Sequence, residues 1–475
     1  MTEVIRKSLR DSKAARWSAL GIISITMFAG YFLTDVMSPL KPMLEAEFGW
    51  SSTNYGIFTS AYGWLNVFLI MLILGGIILD KMGVRFTGLM ASGIMVLGAA
   101  IKFWAISNPT LSTDTTLGIH TQVFWAAIGF AIFGVGVEIA GITVSKIIVK
   151  WFKGHEMALA MGMQMAVARM GTLLAMAAPV PLANFFANSH IVVDGGTLVE
   201  RVAPSISAPI AFALVLLSIG FIAFFIYISM DKKLDASIAE SGEDNNEEPF
   251  KFSNIGTIVS NKGFWLIAFL CVLFYSSVFP FIKYASDLMV NKYGVDQSLA
   301  GLIPSLLPLG TLFLTPLFGS IYDKKGKGAT IMIIGAVIIV FVHGIFSLPI
   351  LNYWMVAVVL VMLLGVALSL VPSAMWPSVP KIIPENQLGT AFSLIFWIQN
   401  WGLMGVPLLI GYVLDKTNPD VAIAKTNGTE IPLYDYTYPM LIFTALGILA
   451  VIVAFMLKAE DKKKGYGLQL PNIQK

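Results

Sequence analysis

"GIILDKMGVR" occupies Gly76–Arg85, and "GSIYDKKGK" occupies Gly319–Lys327. Both follow a long apolar run. Both keep a glycine, an aspartate and a second glycine at one spacing: Gly76, Asp80, Gly83 and Gly319, Asp323, Gly326. Aspartate caps a following helix and takes a basic partner, and glycine permits the tight turn between two helices. One such loop is common chemistry. Two copies in register make the chain an internal duplication.

The runs around the two loops set the class. The 475 residues are 57% hydrophobic and 12% charged, against about 25% charged in soluble domains, and mean hydropathy is +0.78. A membrane span takes roughly 20 apolar residues. Twelve runs are long enough, at about 17–38, 54–79, 86–106, 122–149, 157–186, 208–230, 263–290, 297–321, 329–348, 353–379, 388–414 and 437–458. The long charged interruption, 231–262, contains "DKKLDASIAESGEDNNEEPFK" and reads as a flexible, solvated linker. The expected fold class is therefore an all-α membrane protein of twelve transmembrane helices in two six-helix halves. A tail 1–16 precedes the first half 17–230; the linker 231–262, the second half 263–458 and a tail 459–475 follow.

Lysine and arginine orient the chain. One side of the predicted topology carries 22 of them, the other five (Lys41, Arg201, Lys292, Lys416, Lys425), and four (Lys102, Lys146, Arg169, Lys283) fall within spans. Both termini are expected to be cytoplasmic, in a cell (inner) membrane. A second register joins the halves: Gly134 and Gly171 are 37 residues apart, as are Gly365 and Gly402. Repeats of this kind in a polytopic chain point to a transporter with its substrate site near the midplane.

The paired loops and the six-plus-six pattern resemble the major facilitator superfamily. The blocks "VKWFKGHEMALAMGMQMAVARMG" (Val149–Gly171), "FPFIKY" (Phe279–Tyr284), "AMWPSVPKIIPENQLGTAFSLIFWIQNWGL" (Ala374–Leu403) and "YGWLNV" (Tyr62–Val67) resemble its lysosomal dipeptide transporter branch and bacterial relatives. The resemblance implies the major facilitator fold, alternating access and a dipeptide as substrate. It also places a substrate-binding glutamate and arginine at the positions of Glu138 and Arg169.

The residues support that pair on their own. Glu138 lies in "FGVGVEIAG" and Arg169 in "MAVARMG", 13 residues before Trp151 and 13 after Glu156. At about 1.5 Å per residue both lie about 20 Å from the intervening loop. On neighbouring antiparallel helices they would share a depth, where an ionisable group normally faces a cavity or a partner. An offset of 231 carries Glu138 to Ser369 and Arg169 to Asn400, so the second half lacks both charges. A site with one charged and one neutral wall follows, with Glu138 for an ammonium and Arg169 for a carboxylate. The bland alternative is an ion pair between Glu138 and Arg169 that only fixes two helices.

Tyr62, Asn66, Trp376, Gln399 and Asn400 are further substrate-binding candidates, and Asp80, Arg85, Asp323 and Lys324 are candidates for conformational gating. Asp35 and Lys41 read as interfacial charges, with a gate or proton site as the alternative, Lys283 and Asp287 as an i,i+4 pair, and Lys102 and Lys146 as snorkelling side chains. Asn427-Gly428-Thr429 fits a glycosylation sequon. One cysteine and four scattered histidines offer no metal-ligand spacing, and no phosphate loop, nucleophile elbow or dinucleotide fingerprint occurs. No enzyme, metal or cofactor is expected, and no nucleic-acid partner; the partners are a small-molecule substrate and the bilayer, with an accessory subunit left open. The expected function is a secondary transporter of small zwitterions, most simply dipeptides. An organic-anion or sugar-acid carrier, with or without proton coupling, is the alternative among transporters, and a non-transporting membrane receptor built on the same fold is the alternative of another class.

Overall fold

The computed structural model describes residues 9–153, 155–194, 197–241, 253–384, 387–427 and 429–472. In hydrocarbon every backbone N–H and C=O must be satisfied within the chain, so apolar runs of this length become helices. Among the described residues, eleven helices are long and apolar enough to cross a membrane. They make twelve spans, because Met71–Ile106 holds the end of span 2 and all of span 3, bent at Gly83. The spans are Lys13–Asp35 (1), Ser52–Ser60 continued through Trp64–Phe68 into Met71–Ile106 (2 and 3), Thr121–Phe152 (4), Met157–Ala177 (5), Ser207–Ser241 (6), Lys262–Tyr293 (7), Leu302–Lys325 (8), Gly328–Ser347 (9), Trp354–Ile382 (10), Leu388–Thr417 (11) and Thr437–Lys464 (12).

The two loop motifs fold as their glycines dictate. Gly83 has φ +75° and Gly326 φ +68°, the left-handed region that other residues enter at a cost. The second register is equally physical. A Cβ on Gly134 would strike the carbonyl of Tyr62, and one on Gly171 the carbonyl of Phe28; one on Gly365 would press on the Leu307 carbonyl, and one on Gly402 would strike the Ser276 hydroxyl. Span 4 thus lies on span 2 and span 5 on span 1, while span 10 lies on span 8 and span 11 on span 7. The four glycines mark the same contacts in both halves.

Several expectations need correcting. Span 2 is not continuous: its helix stops at Phe68, and Ile70, at φ +47°, restarts it. Span 5 ends at Ala177, and a short helix, Pro179–Phe185, continues at an angle after the proline. The fold is not purely helical, because Thr115–Thr116 pairs with Ile119–His120 and Asn188–Asp194 with Thr197–Ala203 in two antiparallel hairpins. The expected linker is helical where it is described: span 6 runs on to Ser241, and Ser253–Ser260 forms another helix. The reason is Asp231, fully buried and held by Lys150 (2.8 Å), Tyr227 (2.9 Å) and Trp151 (3.3 Å). Residues 242–252 and Gly428 of the sequon lie outside the described residues.

The C-terminal tail is part of the second half. Span 12 ends at the left-handed Gly465, and the chain folds back over span 9. The N–H groups of Lys327 and Gly328 donate to the carbonyls of Gln469 (2.9 Å) and Leu468 (2.8 Å). They are two of the orphan donors that every helix start presents. Leu468 is fully buried, Lys381 donates to the carbonyls of Gly467 (3.2 Å) and Leu470 (3.0 Å), and Asn472 donates to the Asp323 carboxylate (2.8 Å). Deleting Gly465–Lys475 should therefore destabilise the protein by about 1–3 kcal/mol through the donors it leaves unpaired. The measurement is thermal unfolding of the purified protein in detergent; an unchanged midpoint would contradict this role.

Candidate functional site

Between the halves lies a cavity of about 300 Å³, at the lower end of the roughly 300–1,000 Å³ of small-molecule sites. Spans 1, 2, 4 and 5 of the first half and 7, 10 and 11 of the second supply its walls. Glu138, Arg169, Tyr62, Gln399 and Trp376 line it.

Glu138 accepts a hydrogen bond from the Tyr62 hydroxyl at 2.7 Å. Arg169 takes a different kind of support. Its guanidinium carbon lies 5.9 Å from the ring centre of Tyr31 and 5.7 Å from that of Phe279. Among the described residues it has no hydrogen bond and no ion pair. Glu138 and Arg169 do not pair with each other, so the bland reading fails on geometry. Similar depth had suggested adjacency, but spans 4 and 5 seat on spans 2 and 1, and the cavity separates the two charges.

The second half gives an aromatic wall that also carries one charge, Lys283, so the expected neutral wall is not met. Tyr275 and Phe279 stack in parallel with centres 5.3 Å apart, and Trp376 donates its indole N–H to the Tyr275 hydroxyl at 3.1 Å. Gln399 accepts from the Cys271 thiol at 3.5 Å. The cavity also holds Asp35 and Lys283, joined at 2.5 Å. The i,i+4 reading of Lys283 and Asp287 is thus wrong: each finds a partner from the other half. Asp287 binds Lys41 at 2.7 Å, and Lys41 binds Glu45 at 2.6 Å.

Asn66 and Asn400 are outside the cavity. Asn66 is fully buried, with its amide N–H reaching back to the Tyr62 carbonyl at 3.4 Å. Asn400 is 1% exposed, donates to the Phe396 carbonyl at 3.0 Å, and has its own carbonyl against Gly63. Asn400 thus lies at the contact between spans 2 and 11, while Asn66 bonds within span 2. Lys102 does not snorkel: it is fully buried, donates to the Leu33 carbonyl at 3.3 Å, and sits over Phe58 and Phe130. Lys146 binds Asp80 of the first loop motif at 2.9 Å.

The gating candidates sit at the end of the bundle that carries the termini. Besides Asp80 on Lys146, Arg85 reaches Asp235 at 3.0 Å and Asp231 at 3.6 Å, and Asp323 holds Asn472. Lys324 is exposed and, among the described residues, has no ion pair. These contacts stay inside one half, as do Lys150–Asp231 and Lys262–Glu460.

At the far end the halves are bolted together. Lys283–Asp35 and Lys41–Asp287 are joined there by Lys425–Glu45 (3.1 Å), and by Asp415, which accepts from the N–H groups of Ser52 (3.0 Å) and Thr53 (2.6 Å). Tyr434 donates to Glu45 at 3.0 Å, and Tyr436 donates to Asp287. Burial alone would raise the Glu45 carboxyl, but Lys41 and Lys425 outweigh it and hold it below its ordinary value of 4.5. Glu45 therefore supports this closure fully above that value and loses its hold as pH falls through the lower folded one. With these ties crossing between the halves at the far end, the conformation is closed there.

A family model, Major Facilitator Superfamily, matches residues 23–407 and 284–470. The chain belongs to that superfamily. The Lysosomal dipeptide transporter MFSD1 of Bos taurus is 26% identical over 409 residues, covering 85% of this chain and 80% of the relative. A bacterial homologue of the human lysosomal transporter Spinster, solved inward-facing and occupied, aligns over 95% of this chain and 98% of its own at 13% identity, TM-score 0.67. A D-xylose-proton symporter aligns over 93% and 97% at 16% identity, TM-score 0.66. This facilitator is thus a multi-pass membrane transporter, with the twelve helices and two halves of its superfamily.

Tyr31, Phe279, Asp35 and Lys283 are the cavity residues that sequence reasoning passed over or set aside. Their signal was present. Tyr31 precedes Asp35 by four residues and Phe279 precedes Lys283 by four, so each helix shows an aromatic and a charge on one face.

Proposed function

We propose that the protein carries small zwitterions, dipeptides in the first place, across the membrane by alternating access. The observation behind this is that Glu138 and Arg169 both face the cavity, and among the described residues neither is neutralised by the other or by another protein charge. A half-buried guanidinium that, among the described residues, is supported by aromatic faces alone calls for an anion, and a fork of donors suits a carboxylate. A carboxylate held by one tyrosine hydroxyl has lone pairs left for an ammonium. The similarity to dipeptide transporters at 26% identity supports the same substrate class.

The lysine and arginine distribution puts the termini in the cytoplasm, and a cell membrane is the proposed location. On that orientation the cavity belongs to an inward-facing state, with the outer end shut by the Lys41 and Lys283 bridges. Asp80, Arg85, Asp323 and Lys324 would govern the opposite closure.

A screen of thermal stability with dipeptides, single amino acids, sugar acids and nitrate tests the reading, since a ligand at a hundred times its Kd adds about 2.7 kcal/mol. Dipeptides are expected to stabilise most. Stabilisation by sugar acids or nitrate but not by dipeptides would overturn the zwitterion reading. It would favour an anion carrier in which Arg169 binds and Glu138 only holds a proton.

A further inference from the structure

Arg169 belongs to span 5 of the first half, yet one of the two rings that hold it comes from the second. Tyr31 is in span 1 and Phe279 in span 7, with the guanidinium within 6 Å of both ring centres. One helical turn along, the same two helices are joined again by Asp35 and Lys283, at 2.5 Å. Spans 1 and 7 are thus connected at two successive levels: a cation between two rings, then an ion pair. Phe279 is not an isolated ring. It stacks flat on Tyr275, whose hydroxyl accepts from Trp376 of span 10.

We propose that Tyr31 and Phe279 are positioning residues that clamp Arg169 in the empty cavity, and that carboxylate capture by Arg169 loosens the clamp and hence the junction of spans 1 and 7. This rests on the zwitterion reading and deepens it. A carboxylate that engages the guanidinium fork draws it along the fork direction, off the centres of the two rings. The contact it gives up is the one that bridges the halves. Substrate binding thereby weakens the far-end closure by a route through named atoms, with Asp35–Lys283 as the remaining tie. A ligand shifts a conformational equilibrium only through contacts that differ between states, and the clamp supplies one.

The test uses the full-length protein in nanodiscs, with spin labels on the two halves at the far end and Ala-Ala as the probe ligand. Phe279→Leu keeps apolar bulk and removes the ring; Phe279→Tyr keeps the ring. Phe279→Leu is expected to raise the far-end-open population without ligand about five- to thirtyfold, on the scale of one desolvated cation–π contact. It should also blunt the further shift that Ala-Ala causes, while Phe279→Tyr behaves as the parent. If Phe279→Leu does not fold, Tyr31→Leu makes the same comparison from the other half. Ala-Ala that stabilises the parent and a Phe279→Leu distance distribution identical to the parent's, with and without ligand, would overturn the clamp and leave the zwitterion reading standing. No stabilisation of the parent by any dipeptide would remove that reading, and the clamp with it.

Discussion

Arg169→Gln should abolish dipeptide binding while leaving the protein folded. Removing a desolvated charge contact to a substrate carboxylate costs about 2–5 kcal/mol, part of it the penalty of leaving the other charge unpaired; that is roughly 30-fold to several thousandfold in affinity. The folded state should tolerate the change because Glu138 does not depend on Arg169: its hydrogen bond comes from Tyr62. Had the two formed a bridge, the single substitution would strand a buried carboxylate and destabilise the protein by several kcal/mol. Glu138→Gln should behave alike, with the loss at the substrate's ammonium end. Calorimetric titration with a dipeptide, together with thermal unfolding of each variant, checks both halves of the expectation. A variant that binds normally, or one whose folding collapses, would count against the assignment.

Lys41→Met should open the far end. The Lys41 ammonium is fully buried between Asp287 and Glu45, at 2.7 and 2.6 Å, and Asp287 is on the other half. Removing one partner of a buried charge pair costs about 3–5 kcal/mol, because it leaves the carboxylates uncompensated. Lys41 and Glu45 belong to the short helix Lys41–Phe48 of the first half, and Asp287 to span 7. The cost therefore falls on the state in which the halves meet at this end. The expected outcome is a shift of spin-label distances across the far end toward the open state, with substrate contacts intact. Lys41→Met with Asp287→Asn should recover part of the closure, since removing both partners avoids the buried orphan. Unchanged distances in the single variant would remove the lock from the account.

The fold was legible because its decisive features are local. Gly83 and Gly326 occupy turns that require their backbone freedom, and four glycines mark helix contacts that recur in both halves. Such constraints leave a spacing in the sequence. Glu138 and Arg169 were legible for the same reason: a charge inside an apolar run is visible without any partner. What pairs with what was not. Lys283 lies four residues from Asp287, and helical spacing favours that neighbour, yet its partner Asp35 is 248 residues away. The charge of a residue is in the sequence; its lateral neighbour depends on how twelve helices are arranged. Equal depth likewise placed Glu138 and Arg169 at one level of the membrane without saying that a cavity stood between them. Asn66 and Asn400 show the converse error, since polarity inside a span serves helix contacts as readily as a substrate.

The most direct test of the account is uptake of a radiolabelled dipeptide into liposomes containing only the purified protein, in competition with unlabelled peptides whose ends are free, N-acetylated or C-amidated. The account predicts saturable uptake that the free-ended peptide inhibits and that either blocked peptide inhibits far more weakly, because one end then lacks its counter-charge at Glu138 or Arg169. Equal inhibition by free-ended and blocked peptides, or no uptake at all, would contradict it.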